Sequence, residues 1–325
     1  MTEPLRVAVL DDYQGIADAV DWSPIPRPVE ITSLREHIGP GPALVEKLVG
    51  HEVVVAMRER TPIDATLLAQ LPALKLLVTT GPFNAAIDVA AAHRLGITVS
   101  GTGGAVTPTV EHTWALILGL QRHLVTEDRR IRNGLWQSTI GSDLHGTTLG
   151  LVGVGRIGSR VAAIGKAFGM DVIAWSPHLT DERAAKAGVV RVERAALFAD
   201  ADVVSLHMVL AETTRDLIGA AELAAMKPSA VLVNTSRGGL IDEGALVEAL
   251  HGNHIRGAAL DVFQHEPLPP GHALATLPNT LLTPHLGYVT EGVMAIFYRD
   301  IVDDIAAYCA GSPLRLLELL GEECQ

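Results

Sequence analysis

The chain has 325 residues, with 25 Lys and Arg against 37 Asp and Glu, so its formal net charge is −12 at pH 7. This acidity argues against nucleic acid or an anionic membrane as the main partner, since both require a cationic surface. With 48% hydrophobic and 19% charged residues the chain is globular, and its length predicts about two domains. Cys309 and Cys324 make no disulfide framework. Without a signal-peptide pattern or a membrane-spanning apolar run, we expect a cytoplasmic protein.

The first hundred residues alternate short β-branched runs with helical patterns, which predicts parallel strands joined by helices. Pro42 fits the first turn of a helix, and Gly96 is placed to end another. The Pro-rich piece Ser23–Pro28 is expected to be a surface loop. The predicted strands are Arg6–Leu10, Val53–Met57, Leu74–Thr79 and Ile97–Val99, and the predicted helices are Pro42–Val49 and Ala85–Leu95.

A second and cleaner alternation begins at Thr148. Before it, a long helix is predicted from Pro108 towards Arg122, and the polar stretch Glu127–Asp143 follows. Together the two alternations predict an α/β protein with two doubly wound parallel-sheet domains. The later predicted elements are strand Thr148–Val152, helix Ile157–Phe168, strands Asp171–Trp175, Val203–Leu206, Ala230–Asn234, Arg256–Leu260 and Thr280–Leu282, and a last helix from about Thr290 to Cys309.

A glycine-rich turn joins the first strand of this second alternation to its helix. Gly153 permits a tight bend, Gly155 lets the backbone approach a pyrophosphate, and Gly158 lets the helix pack closely on the strand. The helix N-terminus then offers N–H groups and a positive dipole end to phosphates. Ordinary turn glycines are the alternative, but the strand before and the helix after favour a dinucleotide site. The predicted cofactor contacts in this turn are Gly153, Gly155, Arg156, Ile157 and Gly158.

The end of the next strand bears on the choice of dinucleotide. A site that prefers NAD usually has Asp or Glu at this strand end, where the carboxylate binds the ribose 2′-OH. In this sequence Ser176 stands at that position, and no carboxylate is present there. His178 and Arg183 add positive charge nearby. This pattern favours NADP over NAD, with the alternative that Ser176 is only a turn residue.

Three segments place polar residues directly after buried strands, where an open α/β sheet binds its ligand. They are Asn234–Gly239, Ala259–Pro267 and Thr283–Gly287. A lone Arg, Glu or His in a loop is usually solvated, but three at successive strand ends beside a dinucleotide turn indicate a catalytic site.

The motifs Val233–Gly238, Gly257–Phe263 with Glu266-Pro267, and Thr283–Gly287 resemble those of the D-isomer-specific 2-hydroxyacid dehydrogenases. The resemblance covers nearly the whole chain. It implies a Rossmann-type dinucleotide-binding domain, residues 101–287, inserted into a flavodoxin-like substrate domain made of residues 1–100 and 288–325. It also implies a homodimer, because the segment from the long helix through Trp136 is similar to the family's dimer-forming arm.

The resemblance further implies that Arg237, Glu266 and His285 form the catalytic set, with Asp261 as an auxiliary residue. Thr235 and Asp261 are also predicted to contact the cofactor. In the reductive direction a hydride attacks the C2 carbonyl of a 2-oxo acid, so its oxygen gains negative charge and needs a proton, which His285 is suited to donate. Glu266 would orient the imidazole. The planar fork of Arg237 would hold the substrate carboxylate and polarise the carbonyl.

The substrate pocket departs from the family pattern. Arg58 lies where the family often has an Arg-Ser pair, and Phe83 replaces the second glycine of a loop that keeps Gly81. Tyr288 is also larger than the residue expected after Gly287. These changes favour a 2-oxo acid with an apolar or aromatic side chain, with the alternative that Phe83 belongs to the core. The predicted substrate contacts are Arg58, Gly81, Phe83, Arg237 and Tyr288.

Other interpretations have less support. A dinucleotide-sensing binding protein, like the corepressors that resemble this family, needs a partner surface that the sequence does not indicate. A metal site is not expected, because His251 and His254 lack a third ligand with matching spacing. His112 is interpreted as an ordinary packed or exposed helix residue, with a position facing the cleft as the alternative. Asp11 and Asp12 follow the first strand, where a ligand role and a loop role are equally compatible with the sequence.

Overall fold

The structure is a computed structural model that describes residues 3–318, so Cys324 lies outside the described residues. The chain forms two compact units, Met1–Ala105 with Thr290–Gln325, and Val106–Val289. Among the described residues no helix is both long and apolar enough to cross a membrane. The strands are β1 (Leu5–Val9), β2 (Val29–Ser33), β3 (Val53–Ala56), β4 (Leu76–Thr79), β5 (Thr98–Gly101), β6 (Thr148–Val152), β7 (Asp171–Trp175), β8 (Val190–Arg191), β9 (Val203–Leu206), β10 (Val231–Asn234), β11 (Gly257–Leu260) and β12 (Thr280–Leu282). The α-helices are α1 (Pro42–Leu48), α2 (Ala65–Leu68), α3 (Val89–Arg94), α4 (Thr107–Gln121), α5 (Leu124–Arg132), α6 (Gly158–Ala167), α7 (Asp181–Ala187), α8 (Arg194–Asp200), α9 (Ala220–Ala225), α10 (Glu243–His251), α11 (Ala273–Thr276) and α12 (Glu291–Cys309).

The first unit is built on a parallel five-stranded sheet in the order β2-β1-β3-β4-β5. Strands β3 and β4 are buried at every residue, because helices cover both faces of a doubly wound sheet. The helix predicted from Ala85 begins instead at Val89, since the Asp88 carboxylate accepts a hydrogen bond from the Ala91 N–H and caps it. Strand β2 was not predicted: it lies at the sheet edge, is only half-buried and has no apolar run.

The second unit is built on a parallel seven-stranded sheet in the order β12-β11-β10-β9-β6-β7-β8. The strand order reverses at β6, which pairs with β7 on one side and with β9 on the other. In a doubly wound sheet the crevice at such a reversal is the ligand site. The glycine-rich turn follows β6 directly, so the fold places it at this crevice.

The polar stretch after the long helix contains a helix that the sequence did not predict. Helix α5 has no buried residue, and His123, in the left-handed region at φ 52°, separates it from α4. Several large apolar side chains lie among the charged residues of α5 and of the segment after it, and these apolar side chains are exposed. This set, the arm surface, comprises Leu124, Val125, Ile131, Leu135, Trp136 and Ile140.

Candidate functional site

The glycines of the turn after β6 have three different surroundings. Gly153 has φ 99°, and a Cβ placed on it would lie 2.6 Å from the carbonyl oxygen of His207. A Cβ on Gly158 would collide with the carbonyl oxygen of Gly153, so α6 begins in backbone contact with the turn. Gly155 has no neighbour within 4 Å of its Cβ position. The first and last glycines are therefore required by packing, while the middle one leaves an open face.

The end of β7 carries no carboxylate. Ser176 is half-buried, and the guanidinium of Arg183 donates to the carbonyl of His178 at 3.0 Å, which ties that arginine to the loop after the strand. At the end of β10, Thr235 is buried and its hydroxyl lies 2.8 Å from that of Thr113 on α4. The side chain of Thr235 is thus held against α4.

A histidine and a glutamate form a close pair after the last two strands of the second sheet. Nδ1 of His285 lies 2.7 Å from Oε2 of Glu266, and the other carboxylate oxygen accepts the Phe263 N–H at 2.9 Å. Both side chains are partly exposed. His285 has φ 55°, a left-handed conformation that a non-glycine residue keeps only when its surroundings impose it.

Asp261 supplies that constraint. Its carbonyl oxygen accepts the His285 N–H at 2.8 Å, and its carboxylate accepts the N–H groups of Leu286 at 2.7 Å and Gly287 at 2.8 Å. The hydroxyl of Thr283 donates to the same carboxylate at 2.6 Å. Burial alone would raise the pKa of this carboxyl, but the hydrogen bonds it accepts outweigh burial and lower the pKa. Asp261 is therefore an ionised anchor for the loop that carries His285.

His112 on α4 completes this network, whereas the sequence analysis favoured an ordinary helix residue and gave a position facing the cleft only as the alternative. Its Nε2 lies 3.1 Å from Oδ1 of Asp261 and 3.0 Å from the hydroxyl of Thr283. The only sequence signal is a histidine in the helix that opens the second unit. Its partners lie far along the chain, so the pairing becomes visible only once the helix is packed on the sheet.

Arg237 is positioned by the buried amide of Asn234 at the end of β10. Nδ2 of Asn234 donates to the carbonyl of Arg237, and its Oδ1 accepts the N–H of Ser236, both at 2.9 Å. A Cβ on Gly238 would collide with the carbonyl carbon of Phe263, so the loops after β10 and β11 touch through their backbones. The two loops that carry Arg237 and Glu266 are thereby packed together.

Tyr288 is buried and stands edge-on to the imidazole of His285, with ring centroids 5.5 Å apart at 78°. It therefore restricts the ring of His285 from one side.

The predicted substrate residues of the first unit lie at the ends of β3 and β4. The guanidinium of Arg58 donates to the carbonyl of Thr80 at 3.1 Å, and a Cβ on Gly81 would collide with that guanidinium. Phe83 is 47% exposed, so the alternative that it belongs to the core is wrong.

The histidines weighed as metal ligands, His251 and His254, are exposed. Within residues 3–318 no group of three His, Cys, Asp or Glu side chains could hold a metal ion.

Comparison with known proteins identifies the family. The sequence profile of the D-isomer specific 2-hydroxyacid dehydrogenase NAD binding domain matches residues 114–287. A glyoxylate reductase from Aeropyrum pernix is 41% identical over 259 residues, 77% of each chain. A glycerate dehydrogenase from Methylorubrum extorquens is 37% identical over 286 residues, 85% of this chain and 88% of that protein. The chain also matches several phosphoglycerate dehydrogenases and spans about half of their length.

The fold leads to the same family. A putative D-3-phosphoglycerate dehydrogenase from Ralstonia solanacearum superposes with a TM-score of 0.90 at 34% identity, over 96% of both chains. Its agreement extends over both parallel-sheet units. The chain therefore belongs to the D-isomer specific 2-hydroxyacid dehydrogenases, a family of NAD-dependent oxidoreductases.

Proposed function

We propose that this protein reduces a 2-oxo acid to a D-2-hydroxy acid, with His285 as the acid and base. The observation that carries the proposal is the contact of 2.7 Å between Nδ1 of His285 and Glu266. A carboxylate on Nδ1 holds the proton of that nitrogen and turns Nε2 outward as the transferring atom. The family's nicotinamide cofactor supplies the hydride when it is bound.

Each residue of the set has one task in this reaction. The carbonyl oxygen gains negative charge as the hydride arrives, and His285 donates the proton from Nε2 to it. Arg237 holds the substrate carboxylate with its planar fork and polarises the carbonyl. Glu266 orients the imidazole, and Asp261 keeps the loop of His285 in its left-handed conformation. In the oxidative direction the same nitrogen accepts the proton.

The proposed cofactor site is the crevice after β6 in Val106–Val289. Gly155 provides the open face for the pyrophosphate, since a side chain there would occupy that space. Ser176 at the end of β7 neither repels a 2′-phosphate nor binds a 2′-OH strongly, which supports NADP over NAD. The remaining proposed contacts are Gly153, Arg156, Ile157, Gly158, Thr235 and Asp261.

The other compact unit is the proposed substrate domain. Arg58 and Gly81 are neighbours at its strand ends, and the exposed ring of Phe83 follows them. In Val106–Val289, Tyr288 packs against the catalytic imidazole. Each ring, taken by itself, is a large apolar group, and this supports a substrate with an apolar or aromatic portion.

The proposed assembly is a homodimer formed through the arm surface. Trp136 is 73% exposed and Ile140 is 93% exposed, and a set of six apolar side chains on one exposed segment favours association with a second copy.

The chain has only two cysteines, which supports a reducing compartment such as the cytoplasm.

The test is turnover at the reduced-nicotinamide absorbance band, with NADH and NADPH in parallel and glyoxylate, hydroxypyruvate, pyruvate and phenylpyruvate as substrates. His285→Ala is expected to bind cofactor normally and to lose about 10²- to 10⁴-fold in turnover. His251→Ala, an exposed histidine at the end of α10, is the matched control and keeps full activity.

Full turnover in His285→Ala would remove this residue from the mechanism. Tight cofactor binding without turnover of any oxo acid would favour the dinucleotide-sensing interpretation instead.

A further inference from the structure

A small cavity lies at the amino edge of the seven-stranded sheet, within the unit Val106–Val289. Strands β10, β11 and β12 begin at its wall, and the end of α4 and the first turn of α5 close it. Because the strands are parallel, the glycine-rich turn and the loops after β10 and β11 lie at the opposite edge. We call it the Arg256 cavity, and its lining includes Leu120, His123, Thr126, Arg256, Asn279 and Leu281.

Arg256 brings a positive charge to this cavity without a counter-charge. Its guanidinium donates through Nη1 to the hydroxyl of Ser142 and through Nη2 to Oε1 of Gln121, and both acceptors are neutral. No Asp or Glu lines the cavity, and within residues 3–318 no carboxylate pairs with Arg256. Burial lowers the pKa of Arg256, whereas a neighbouring anion would raise it. Since arginine stays charged in proteins, a half-buried cation remains uncompensated in an acidic chain.

Two buried polar atoms of the lining residues also lack partners. Nε of Arg256 and Oδ1 of Asn279 are buried, and within the described residues neither makes a hydrogen bond. Nδ2 of Asn279 donates to the carbonyl of Leu250 at 3.0 Å, so the amide oxygen is the atom left over. Nearly all buried polar groups in proteins are paired, and an unpaired one calls for a water or an ion. The lining therefore lacks an acceptor for the guanidinium and a donor for the amide.

The first turn of α5 adds donors at the same place. His123 precedes this helix in the left-handed region, and its side chain does not cap the helix. The N–H groups of Leu124, Val125 and Thr126 have no acceptor inside the helix, because the first turn has no preceding carbonyls. Val125 and Thr126 line the cavity, so the positive end of the helix dipole lies beside it. This helix start is a source of positive potential independent of Arg256.

The size of the cavity limits what can bind. Its volume is about 130 Å³, which is room for about four water molecules. Pockets for drug-sized ligands have about 300 to 1,000 Å³, so a nucleotide does not fit. Leu120, Val231 and Leu281 supply apolar walls, and a weakly polar surrounding strengthens the attraction between a cation and an anion. The cavity suits a small anion.

We propose that the Arg256 cavity binds a small oxyanion that also carries a hydroxyl group, of which hydrogen phosphate is the simplest. Its charged oxygens accept from the guanidinium of Arg256 and from the N–H groups at the start of α5, and its hydroxyl donates to Asn279. Sulfate and acetate offer charge without that donor. The phosphate group of a small monoester has the same chemistry, with the rest of the molecule outside the cavity. The site shares no residue with the proposed function and does not rest on it.

The experiment is isothermal titration calorimetry of the full chain, saturated with its nicotinamide cofactor so that the phosphate sites of the cofactor are occupied. Inorganic phosphate, glycerol 3-phosphate, sulfate and acetate are titrated at constant ionic strength in chloride. The wild type is expected to bind phosphate with a millimolar or lower Kd and sulfate several-fold more weakly. Arg256→Gln should raise the phosphate Kd about tenfold or more, because hydrogen bonds between charged groups are lost. The tighter of the two phosphate compounds identifies the source of the ligand.

Further variants locate the site. Arg94→Gln, which removes an exposed arginine on α3, is the matched control and leaves the Kd unchanged. Arg237→Gln should also leave it unchanged, which separates this cavity from the proposed catalytic set. Asn279→Ala should remove the preference for phosphate over sulfate. Should Arg256→Gln not fold, judged by circular dichroism, Arg256→Lys keeps the charge without the planar fork and should raise the Kd by a smaller factor.

Three results overturn the inference, and each leaves the proposed function intact. An unchanged phosphate Kd in Arg256→Gln places the anion elsewhere. Equal Kd values for phosphate and sulfate in the wild type remove the pairing of a hydroxyl with Asn279. A wild type that binds no phosphate at millimolar concentration leaves the cation to another partner; a weaker dimer of Arg256→Gln in analytical ultracentrifugation would then identify that partner as a second copy of this chain.

Discussion

Asp304 on α12 gives the sharpest prediction about stability. Its carboxyl group is fully buried, and among the described residues neither oxygen accepts a hydrogen bond. Arg315 lies 3.0 Å from Oδ1 as a counter-charge, while Asp300 and Asp303 add negative charge. Burial outweighs the attraction of Arg315 and raises the pKa of Asp304 to about 7. Asp304→Asn keeps the shape of this side chain and removes its charge.

The size of the effect follows from that pKa. Raising a carboxyl pKa from 3.8 to about 7 corresponds to about 4 kcal/mol between the two protonation states. Since the folded pKa exceeds the unfolded one, the folded protein is favoured at low pH and loses that stability as the pH rises from about 4 through 7. Between pH 5 and pH 8 the loss is about 3 kcal/mol, and the asparagine variant does not suffer it.

The assay is urea unfolding of wild type and variant, followed by circular dichroism at pH 5 and pH 8. Asp304→Asn is expected to gain about 3 kcal/mol relative to wild type between the two pH values. Glu46→Gln, which neutralises an exposed carboxylate on α1 away from Asp304, is the control and shows no such change. A variant that is less stable than wild type by the same amount at both pH values would refute the reasoning. It would mean that Arg315 keeps this carboxylate ionised.

Further predictions address the cofactor, the network around the catalytic loop and the assembly. Ser176→Asp is expected to shift the kcat/KM ratio from NADPH towards NADH about tenfold or more, because the new carboxylate repels a 2′-phosphate; an unchanged ratio would place the 2′-OH site elsewhere. His112→Ala removes a partner of Asp261 and should lower kcat about tenfold, whereas His112→Gln, which can still donate, should recover most of it. Equal losses in both variants would contradict the positioning role. Replacing Trp136 and Ile140 by Ser should convert a dimer to a monomer in analytical ultracentrifugation, and a monomeric wild type would end the homodimer proposal.

The fold class and most strand positions were predictable from the sequence. Buried parallel strands are short continuous apolar runs bounded by polar or turn residues, so pattern alone locates them. Four predicted strands agree with the structure at both ends: Thr148–Val152, Asp171–Trp175, Val203–Leu206 and Thr280–Leu282. Two elements were not predicted, the edge strand Val29–Ser33 and the exposed helix Leu124–Arg132, because neither buries a continuous set of apolar side chains.

The candidate site, like the fold, could be predicted from the sequence only in part. The sequence by itself determined that polar segments follow three of the strands, and its resemblance to the D-isomer-specific 2-hydroxyacid dehydrogenases implied that Arg237, Glu266 and His285 in those segments are catalytic. Only the tertiary structure decided which of these side chains contact each other. His112 meets Asp261 across 149 positions of the chain, and Asp11 meets His37 and Thr61 across 26 and 50. A local pattern records what one segment buries, whereas a contact between distant segments depends on how the sheet brings their strand ends together.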